Sequence, residues 1–338
     1  MKKIDIYGTL GPACVKIEIL QKMFACGMTG MRLNLSHMGL EQCGEWLERF
    51  HYAAKATGVQ PKLLIDLQGP ELRLGEFATC ELQVEEVVVL GNGGIPVPEI
   101  IFDGIEKGQQ ILLDDGKLLL EVEEIVVSRS KALYCRVLRG GLLKSRKSIA
   151  LPEMKLYPPT LTESDLENLK IAKEYGVTGV MLPFVRNAKD LQNLREVLNE
   201  ENPTNIQIFA KIENMDGVEQ LTELLPFADE FVIARGDLGN AMPLWELPGV
   251  QYRIGKICQE AGKPYMVVTQ MLASMETSPI PTRAEVSDIF YAILHGASSV
   301  MLTGETAAGK YPVEAMEYMC ETVKSAIKSI AYLPEVVQ

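Results

Sequence analysis

Two charged side chains close an apolar run near the middle of the sequence. The segment "IQIFAKIENMDG" (206–217) is apolar through Ala210 and then places Lys211 and Glu213 two residues apart. In an extended strand, side chains two residues apart point to the same side. The spacing therefore predicts an ammonium and a carboxylate aimed at one spot, as in a site for an anionic ligand beside a metal ion.

Other strand-like runs end in charged or polar residues as well. A salt bridge at the rim would explain any one of them, but their recurrence after five or six runs favours a functional site. The residues are Arg32, Asn34, Ser36 and His37 in "RLNLSH", then Asp66, Glu71 and Arg73 in "IDLQGPELR", Arg235 and Asp237 in "ARGDLG", Thr269 and Gln270 in "VVTQ", and Thr303 and Glu305 in "TGET".

The residue types indicate the chemistry. Glu213 and Asp237 carry hard oxygen ligands that suit Mg²⁺ or Mn²⁺, whereas the three histidines have no zinc-ligand spacing. Arg32, Arg73 and Lys211 are cations that suit phosphoryl oxygens in a water-poor site. A phosphorylated carboxylic acid bound through the metal fits this set. Phosphoryl transfer, aldol cleavage and enolate formation all remain open at this point.

Alternating strands and helices must position these residues. Eight continuous apolar runs alternate with amphipathic helical patterns, which predicts a (β/α)₈ barrel. A doubly wound open sheet is the alternative, but no GxGxxG follows the first strand. Thr162 is a plausible helix N-cap and Gly176 a plausible stop. The predicted strands are 4–10, 30–35, 62–67, 179–183, 206–212, 230–234, 265–270 and 299–304.

One stretch breaks the alternation. Residues 75–150 contain β-rich segments such as "QQILLDDGKLLLEVEEIVV" with no clear helical pattern. We interpret them as a small β domain inserted after the third strand, where it could act as a lid over the mouth of the barrel. The barrel domain would then comprise 1–74 and 151–338.

Composition excludes several classes of protein. The 338 residues carry a formal net charge of −12, which argues against nucleic-acid and anionic-membrane partners. The seven scattered cysteines form no CxxC, and we find neither a signal peptide nor an apolar stretch long enough to span a bilayer. We therefore expect a cytoplasmic protein. Trp46 and Trp245 are interpreted as packing residues.

At this point the motifs identify a family. The chain resembles pyruvate kinases along essentially its whole length, with the family's motifs in the family's order and spacing. The matching strings are "GTLGPAC", "GMRLNLSHM", "IDLQGPELRLG", "ILLDDG", "GGLLKSRKSIALP", "AKIENMDGV", "VIARGDLG", "AGKPYMVVTQMLASM", "PTRAEVSDI" and "VMLTGETAAGKYPVEA".

The resemblance implies the last step of glycolysis, phosphoenolpyruvate + ADP → pyruvate + ATP, with Mg²⁺ (or Mn²⁺) and K⁺ as cofactors. The enolate left by phosphoryl transfer would stay on the metal. Lys211 would stabilise the phosphoryl group in flight, assisted by Arg32. The N–H groups of Gly236 and Asp237, with the Thr269 hydroxyl, would bind the substrate carboxylate, and Thr269 would belong to the network that protonates carbon 3 of the enolate.

The same resemblance implies the metal and nucleotide sites. Because Glu71 stands where K⁺-dependent members carry Glu, we expect K⁺ dependence. The implied ligands are Glu213 and Asp237 for Mg²⁺, Asn34, Ser36, Asp66 and the Leu67 carbonyl for K⁺, and Asn34, His37, Arg73 and Lys147 for the nucleotide phosphates.

The chain departs from the family pattern around the site and at its end. Gln68, Leu67, Pro183 and Ala210 replace the usual Lys, Thr, Ser and Ser, but no charged group assigned to phosphoryl transfer is lost. The sequence stops just after the eighth barrel helix, where family members continue into a C-terminal domain. We therefore expect no C-terminal effector domain, no sugar-phosphate allostery, and a dimer or tetramer built through barrel surfaces.

Two alternatives to an active pyruvate kinase stay open. One is a non-catalytic or regulatory paralogue, which the altered neighbours of the site favour weakly. The other is a decarboxylase or aldolase that forms an oxo-acid enolate on the same barrel, for which Arg73 and Lys147 would be unnecessary.

Overall fold

The computed structural model describes residues 4–36, 38–114, 116–127, 131–152, 154, 158–201 and 206–330. The chain divides into two compact units. The first comprises 1–69 with 160–338, and the second comprises 70–159. Each unit has its own hydrophobic core and is described separately.

The strands are numbered in chain order. They are β1 (Asp5–Thr9), β2 (Gly30–Asn34), β3 (Lys62–Asp66), β4 (Cys80–Leu82), β5 (Val87–Gly91), β6 (Gln110–Leu113), β7 (Leu118–Val127), β8 (Lys131–Arg139), β9 (Gly141–Leu143), β10 (Ile149–Ala150), β11 (Gly179–Leu182), β12 (Gln207–Ile212), β13 (Glu230–Ala234), β14 (Tyr265–Val268) and β15 (Ser299–Met301).

The α-helices are numbered in the same way. They are α1 (Ile17–Cys26), α2 (Gly44–Ala56), α3 (Glu163–Ile171), α4 (Ala188–Glu201), α5 (Met215–Glu219), α6 (Leu221–Leu224), α7 (Arg235–Asn240), α8 (Leu247–Glu260), α9 (Arg283–Leu294), α10 (Gly304–Ala307) and α11 (Pro312–Ile330).

The first unit is a closed barrel of parallel strands in the order β1-β2-β3-β11-β12-β13-β14-β15. This confirms the predicted (β/α)₈ architecture over the open sheet. Each barrel strand is fully or largely buried because its inner face packs in the barrel and its outer face packs against helices. The inner core is formed by Tyr7, Leu64, Met181, Phe209, Val232, Ala234, Met266, Val268 and Met301.

The caps of α3 show where local sequence signals hold and where they fail. Thr162 caps the helix as predicted, in a capping box with Asp165. The prediction that Gly176 stops this helix is wrong, because α3 ends at Ile171. Gly176, with a φ of +74°, instead ends the turn that follows and leads into β11.

The second unit is antiparallel and β-rich. It contains a five-stranded sheet in the order β10-β6-β7-β8-β5 and a two-stranded sheet of β4 and β9. Its core is formed by residues such as Leu90, Ile111, Leu120, Leu133 and Val137, each fully buried. A short 3₁₀ helix at Glu99–Phe102 lies among the strands.

Within the described parts of the chain, no helix combines the length and apolarity that a membrane span requires. Trp46 packs against the barrel core, as predicted. The same prediction is wrong for Trp245, which is 82% exposed because the segment between α7 and α8 is largely uncovered.

Candidate active site

Four charged side chains from three barrel strands, β2, β3 and β12, come together at the carboxyl ends of the strands. Arg32 lies on β2, Asp66 ends β3, and Lys211 and Glu213 lie on and just after β12. Lys211 Nζ lies 2.9 Å from Glu213 Oε1 and 3.2 Å from Asp66 Oδ2. Arg32 Nη2 lies 2.6 Å from the same Asp66 oxygen. The predicted ammonium and carboxylate therefore belong to a continuous chain of ion pairs.

This chain of ion pairs is largely removed from water. The side chains of Asp66 and Glu213 are 2% and 1% exposed, and those of Arg32 and Lys211 are 14% and 13% exposed. Charges interact more strongly in such surroundings than at the surface, because little water screens them. These four side chains are therefore better suited to bind a charged ligand than to serve as surface salt bridges.

Burial and neighbouring charges together set the protonation of Glu213 and Lys211. Burial raises the pKa of Glu213 to about 7, with the negative charges of Asp237 and Asp66 adding to the effect and Lys211 opposing it. For Lys211, burial would lower the pKa, but the carboxylates of Asp66, Glu213 and Asp237 outweigh it and raise the pKa. Lys211 is therefore held as a cation, and Asp237 contributes its charge to the same site.

A backbone group that the sequence did not suggest also contacts Glu213. The second oxygen, Oε2, accepts the Phe184 N–H at 2.8 Å. Phe184 follows β11 and has a φ of +51°, a left-handed conformation that is uncommon for residues other than glycine. Nothing in the sequence around Phe184 signals this contact, because it depends on the backbone conformation after a neighbouring strand.

The segments after β13 and β14 approach each other closely. A side chain on Gly236 would place its Cβ 3.1 Å from Thr269 Cγ2, so the absence of a side chain permits this approach. Arg235 donates from Nε and Nη2 to the Thr269 carbonyl at 3.2 and 2.8 Å. The structure thus brings the predicted residues Gly236, Asp237 and Thr269 into one region of the barrel unit.

The residues predicted for K⁺ lie at the ends of β2 and β3, where Asn34 and Asp66 are register partners. Asn34 Oδ1 accepts the Ser36 N–H at 3.2 Å, and Leu67 is buried. Asp66 Oδ1 is buried without a hydrogen-bond partner among the described residues. An oxygen left in this way fits a cation ligand, since an unsatisfied buried acceptor is otherwise costly. His37, which the resemblance assigns to the nucleotide phosphates and not to K⁺, lies outside the described residues.

A divalent metal would find few protein ligands in this site. Over the ranges that the structure describes, no group of three or more His, Cys, Asp or Glu side chains is placed to hold a metal ion. Two carboxylates, Glu213 and Asp237, nevertheless fit Mg²⁺, which commonly takes one or two carboxylates and completes its shell with water and substrate oxygens.

Two predicted nucleotide residues belong to the β-rich unit, and each is ion-paired there. Arg73 Nη2 lies 2.6 Å from Glu71 Oε2, and Lys147 Nζ lies 2.8 Å from Asp114 Oδ1. Burial would raise the pKa of Asp114, but Lys147 and Lys117 hold it below its usual range. Each of the two cations therefore lies beside a carboxylate of the same unit.

The substituted positions are accommodated by packing. Pro183 lies against Gly69, where an added Cβ would come within 2.5 Å of Pro183 Cγ. Ala210 is fully buried in β12. Asp165, which the sequence analysis did not single out, accepts the N–H groups of Gln68 and Gly69 at 2.8 and 3.0 Å. These contacts fix the backbone after β3 without a role for the missing hydroxyls.

Comparison with known proteins identifies relatives over nearly the whole chain. The family model described as "Pyruvate kinase, barrel domain" matches residues 1–316. The chain is 39% identical to a pyruvate kinase of Geobacillus stearothermophilus over 328 residues, covering 94% of this chain and 56% of that protein. It is 37% identical to a pyruvate kinase of Aeropyrum pernix over 334 residues, covering 98% of this chain and 72% of that protein. The chain thus spans little more than half the length of some curated relatives that it matches.

Proposed function

Since the chain belongs to the pyruvate kinase family, we propose that it transfers the phosphoryl group of phosphoenolpyruvate to ADP, which yields pyruvate and ATP. The observation that carries the proposal is the buried Lys211 ammonium, held between Asp66 and Glu213 at the carboxyl ends of the barrel strands. Phosphoryl transfer depends mainly on positioning and charge stabilisation, and this site supplies fixed charge in a water-poor place.

Lys211 would stabilise the phosphoryl group during transfer, with Arg32 beside it. The bond between the enol oxygen and phosphorus breaks, its electron pair stays on that oxygen, and a β-phosphate oxygen of ADP forms the new bond to phosphorus. Because Asp66 and Glu213 hold Lys211 charged, no proton has to move before the ammonium can act.

Glu213 and Asp237 would hold Mg²⁺, and Asn34, Ser36, Asp66 and the Leu67 carbonyl would hold K⁺. When bound, these cations would supply charge neutralisation for the phosphoryl and enolate oxygens. The raised pKa of Glu213, about 7, means that the metal and a proton would compete for this carboxylate near neutral pH.

The remaining roles concern the carboxylate, the enolate and the nucleotide. The N–H groups of Gly236 and Asp237 and the Thr269 hydroxyl would orient the substrate carboxylate, and Thr269 would help to deliver a proton to carbon 3 of the enolate. The nucleotide phosphates are assigned to Asn34, His37, Arg73 and Lys147.

A coupled assay tests the proposal directly. Phosphoenolpyruvate and ADP are supplied with Mg²⁺ or Mn²⁺, in K⁺ or in Na⁺ alone, and pyruvate is detected by its reduction with NADH and lactate dehydrogenase. We expect turnover that requires the divalent ion. No pyruvate under any of these conditions would exclude the proposal for this chain.

The same preparation separates the two alternatives. An inactive protein that still binds phosphoenolpyruvate, measured by calorimetry, would be a non-catalytic paralogue. Metal-dependent release of CO₂ from oxaloacetate without any ATP formation would instead indicate an oxo-acid enolate enzyme.

A further inference from the structure

We propose that Glu305 is a positioning residue for the reaction. Its buried carboxylate would hold the segment that carries Thr269 in a conformation that this segment does not adopt readily. The inference deepens the proposed function, since it assumes that Thr269 contacts the substrate. It rests on backbone geometry and hydrogen bonds after β14 and β15.

The segment after β14 has an unusual backbone. Thr269 and Gln270 are consecutive residues with φ of +77° and +55°. Left-handed conformations are uncommon outside glycine and are unfavourable for β-branched residues such as threonine. Two in succession persist only where the surroundings determine the conformation, and such places cluster at ligand sites.

Part of the restraint comes from the preceding strand end. Arg235 donates twice to the Thr269 carbonyl and once, at 2.6 Å, to Asp288 Oδ2. This fixes the carbonyl of Thr269 on one side. The next residues in the chain need a second anchor, because a left-handed turn held at one end can relax at the other.

Glu305 supplies that second anchor. It is 1% exposed, and its Oε1 accepts the Leu272 N–H at 3.0 Å. Its other oxygen, Oε2, accepts the Thr303 N–H at 2.7 Å and the Thr303 hydroxyl at 3.2 Å. One carboxylate thus joins the segment after β14 to the segment after β15.

The anchor is itself fixed to the barrel. The neighbouring Thr306 accepts the Thr9 N–H at 2.8 Å and donates its hydroxyl to the Thr9 carbonyl at 3.0 Å. The short helix α10 is therefore hydrogen-bonded to β1. Glu305 lies in α10, so its hydrogen bond from the Leu272 N–H connects the segment after β14 to a fixed part of the barrel.

A carboxylate suits this position because both of its oxygens accept hydrogen bonds, from the Leu272 N–H and from the N–H and hydroxyl of Thr303. Glutamine would keep one acceptor oxygen but turn an NH₂ group toward an N–H, which leaves a buried donor unpaired. Aspartate would keep two acceptors on a shorter side chain. It could still accept from Thr303, two residues away, but would not reach Leu272 as well.

The test compares Glu305→Gln and Glu305→Asp with Glu230→Gln. Glu230 is a matched control: it begins β13 at the opposite end of the barrel, is 9% exposed and accepts a hydrogen bond from the Ser299 hydroxyl. For both Glu305 variants we expect kcat/KM for phosphoenolpyruvate to fall by about tenfold or more, with KM for ADP changed by less than about twofold. Glu230→Gln should leave both constants near wild type per folded molecule.

Hydrogen–deuterium exchange of the peptide that covers 269–275 provides a second reading that needs no turnover. We expect faster exchange there in both Glu305 variants and unchanged exchange in Glu230→Gln. Glu305→Asp keeps the test available if Glu305→Gln does not fold.

The outcomes separate the two proposals. If the wild-type protein is inactive but residues 269–275 still exchange more slowly in it than in the Glu305 variants, the proposed function is wrong and the anchoring of this segment by Glu305 stands. Unchanged exchange in a folded Glu305 variant would overturn the positioning role, and so would equal losses of kcat/KM in the Glu305 and Glu230 variants.

Discussion

Two buried groups of charges in the barrel unit use the same kinds of side chain for different ends. In one, the Asp190 carboxylate is paired with Arg186, and these residues are 3% and 9% exposed. In the other, Lys211 lies between Asp66 and Glu213. The first group leaves no oxygen of its carboxylate without a donor, whereas the second leaves Asp66 Oδ1 without a partner among the described residues.

Protonation separates the two groups as well. Burial would raise the pKa of Asp190, but hydrogen bonds from Arg186 and the Thr160 hydroxyl hold it below its usual range. For Glu213, burial prevails and the pKa rises to about 7. A buried pair that stabilises a fold needs complete hydrogen bonding. A buried group that leaves one oxygen open and one carboxylate raised in pKa has capacity left for a ligand.

The sharpest test of this contrast removes the cation from each group. In Lys211→Met, we expect phosphoryl transfer to fall by on the order of 10³-fold, because the charge that stabilises the transferring group is gone. Exchange of the carbon-3 protons of pyruvate with deuterated solvent should remain measurable by NMR, since Thr269 and the carboxylates are intact. Near-normal kinase activity in Lys211→Met would show that the role given to Lys211 is wrong.

The matching change in the other group is Arg186→Met. It leaves the buried Asp190 carboxylate uncompensated, so we expect the free energy of unfolding to drop by about 3 kcal/mol. Urea unfolding followed by circular dichroism measures this change. Activity per folded molecule should stay within about twofold of wild type, because the partner of Arg186 in this ion pair is Asp190 and not Asp66 or Glu213. A large loss of kcat in a folded Arg186→Met protein would contradict the claim that the Arg186–Asp190 pair serves stability and only the Lys211 group serves activity.

The pH dependence of stability should have opposite signs in the two groups. Glu213 has an ordinary pKa of 4.5 and a folded pKa of about 7, so the folded state binds its proton more tightly. Its contribution to stability is present below about pH 4.5 and is lost as the pH rises to about 7. The contribution of Asp190, whose pKa is lowered, is present above its ordinary 3.8 and is lost as the pH falls further.

Urea unfolding in EDTA between about pH 5 and pH 7 tests this sign. Relative to Glu213→Gln, the wild-type protein should lose stability as the pH rises, by at most about 1.4 kcal/mol per pH unit for one proton. Asp190→Asn should change how the free energy of unfolding depends on pH only at more acidic pH, and should leave its slope in the range of this experiment unchanged. Parallel curves for wild type and Glu213→Gln would contradict the raised pKa of Glu213.

The sequence predicted much of the architecture but few of the contacts that complete the site. Alternating apolar runs located all eight barrel strands, and the two-residue spacing placed Lys211 and Glu213 on one side. Periodicity reports which face of an element is buried. It does not report that the Phe184 N–H reaches Glu213, 29 residues away.

The errors have similar causes. The size and apolarity of tryptophan predict a packing role for Trp245, yet its side chain is exposed, as are most of the residues around it. The sequence predicts that Gly176 ends α3, but the helix ends at Ile171 and the glycine ends the turn that follows. In both cases, tertiary context overrode a local preference.

The smallest predicted effect concerns Asp66 Oδ1, the open oxygen that has no hydrogen-bond partner among the described residues. If K⁺ binds beside it, Ser36→Ala removes one neutral ligand and keeps the carboxylate. We therefore expect the K⁺ concentration for half-maximal activity to rise a few-fold, roughly threefold to tenfold, with little change in the rate at saturating K⁺. Ser325→Ala, on the exposed side of α11, is the matched control and should leave the K⁺ titration unchanged. Full wild-type activity in buffer that contains neither K⁺ nor Na⁺ would instead mean that the open oxygen serves another purpose, because a monovalent cation would then have no part in turnover.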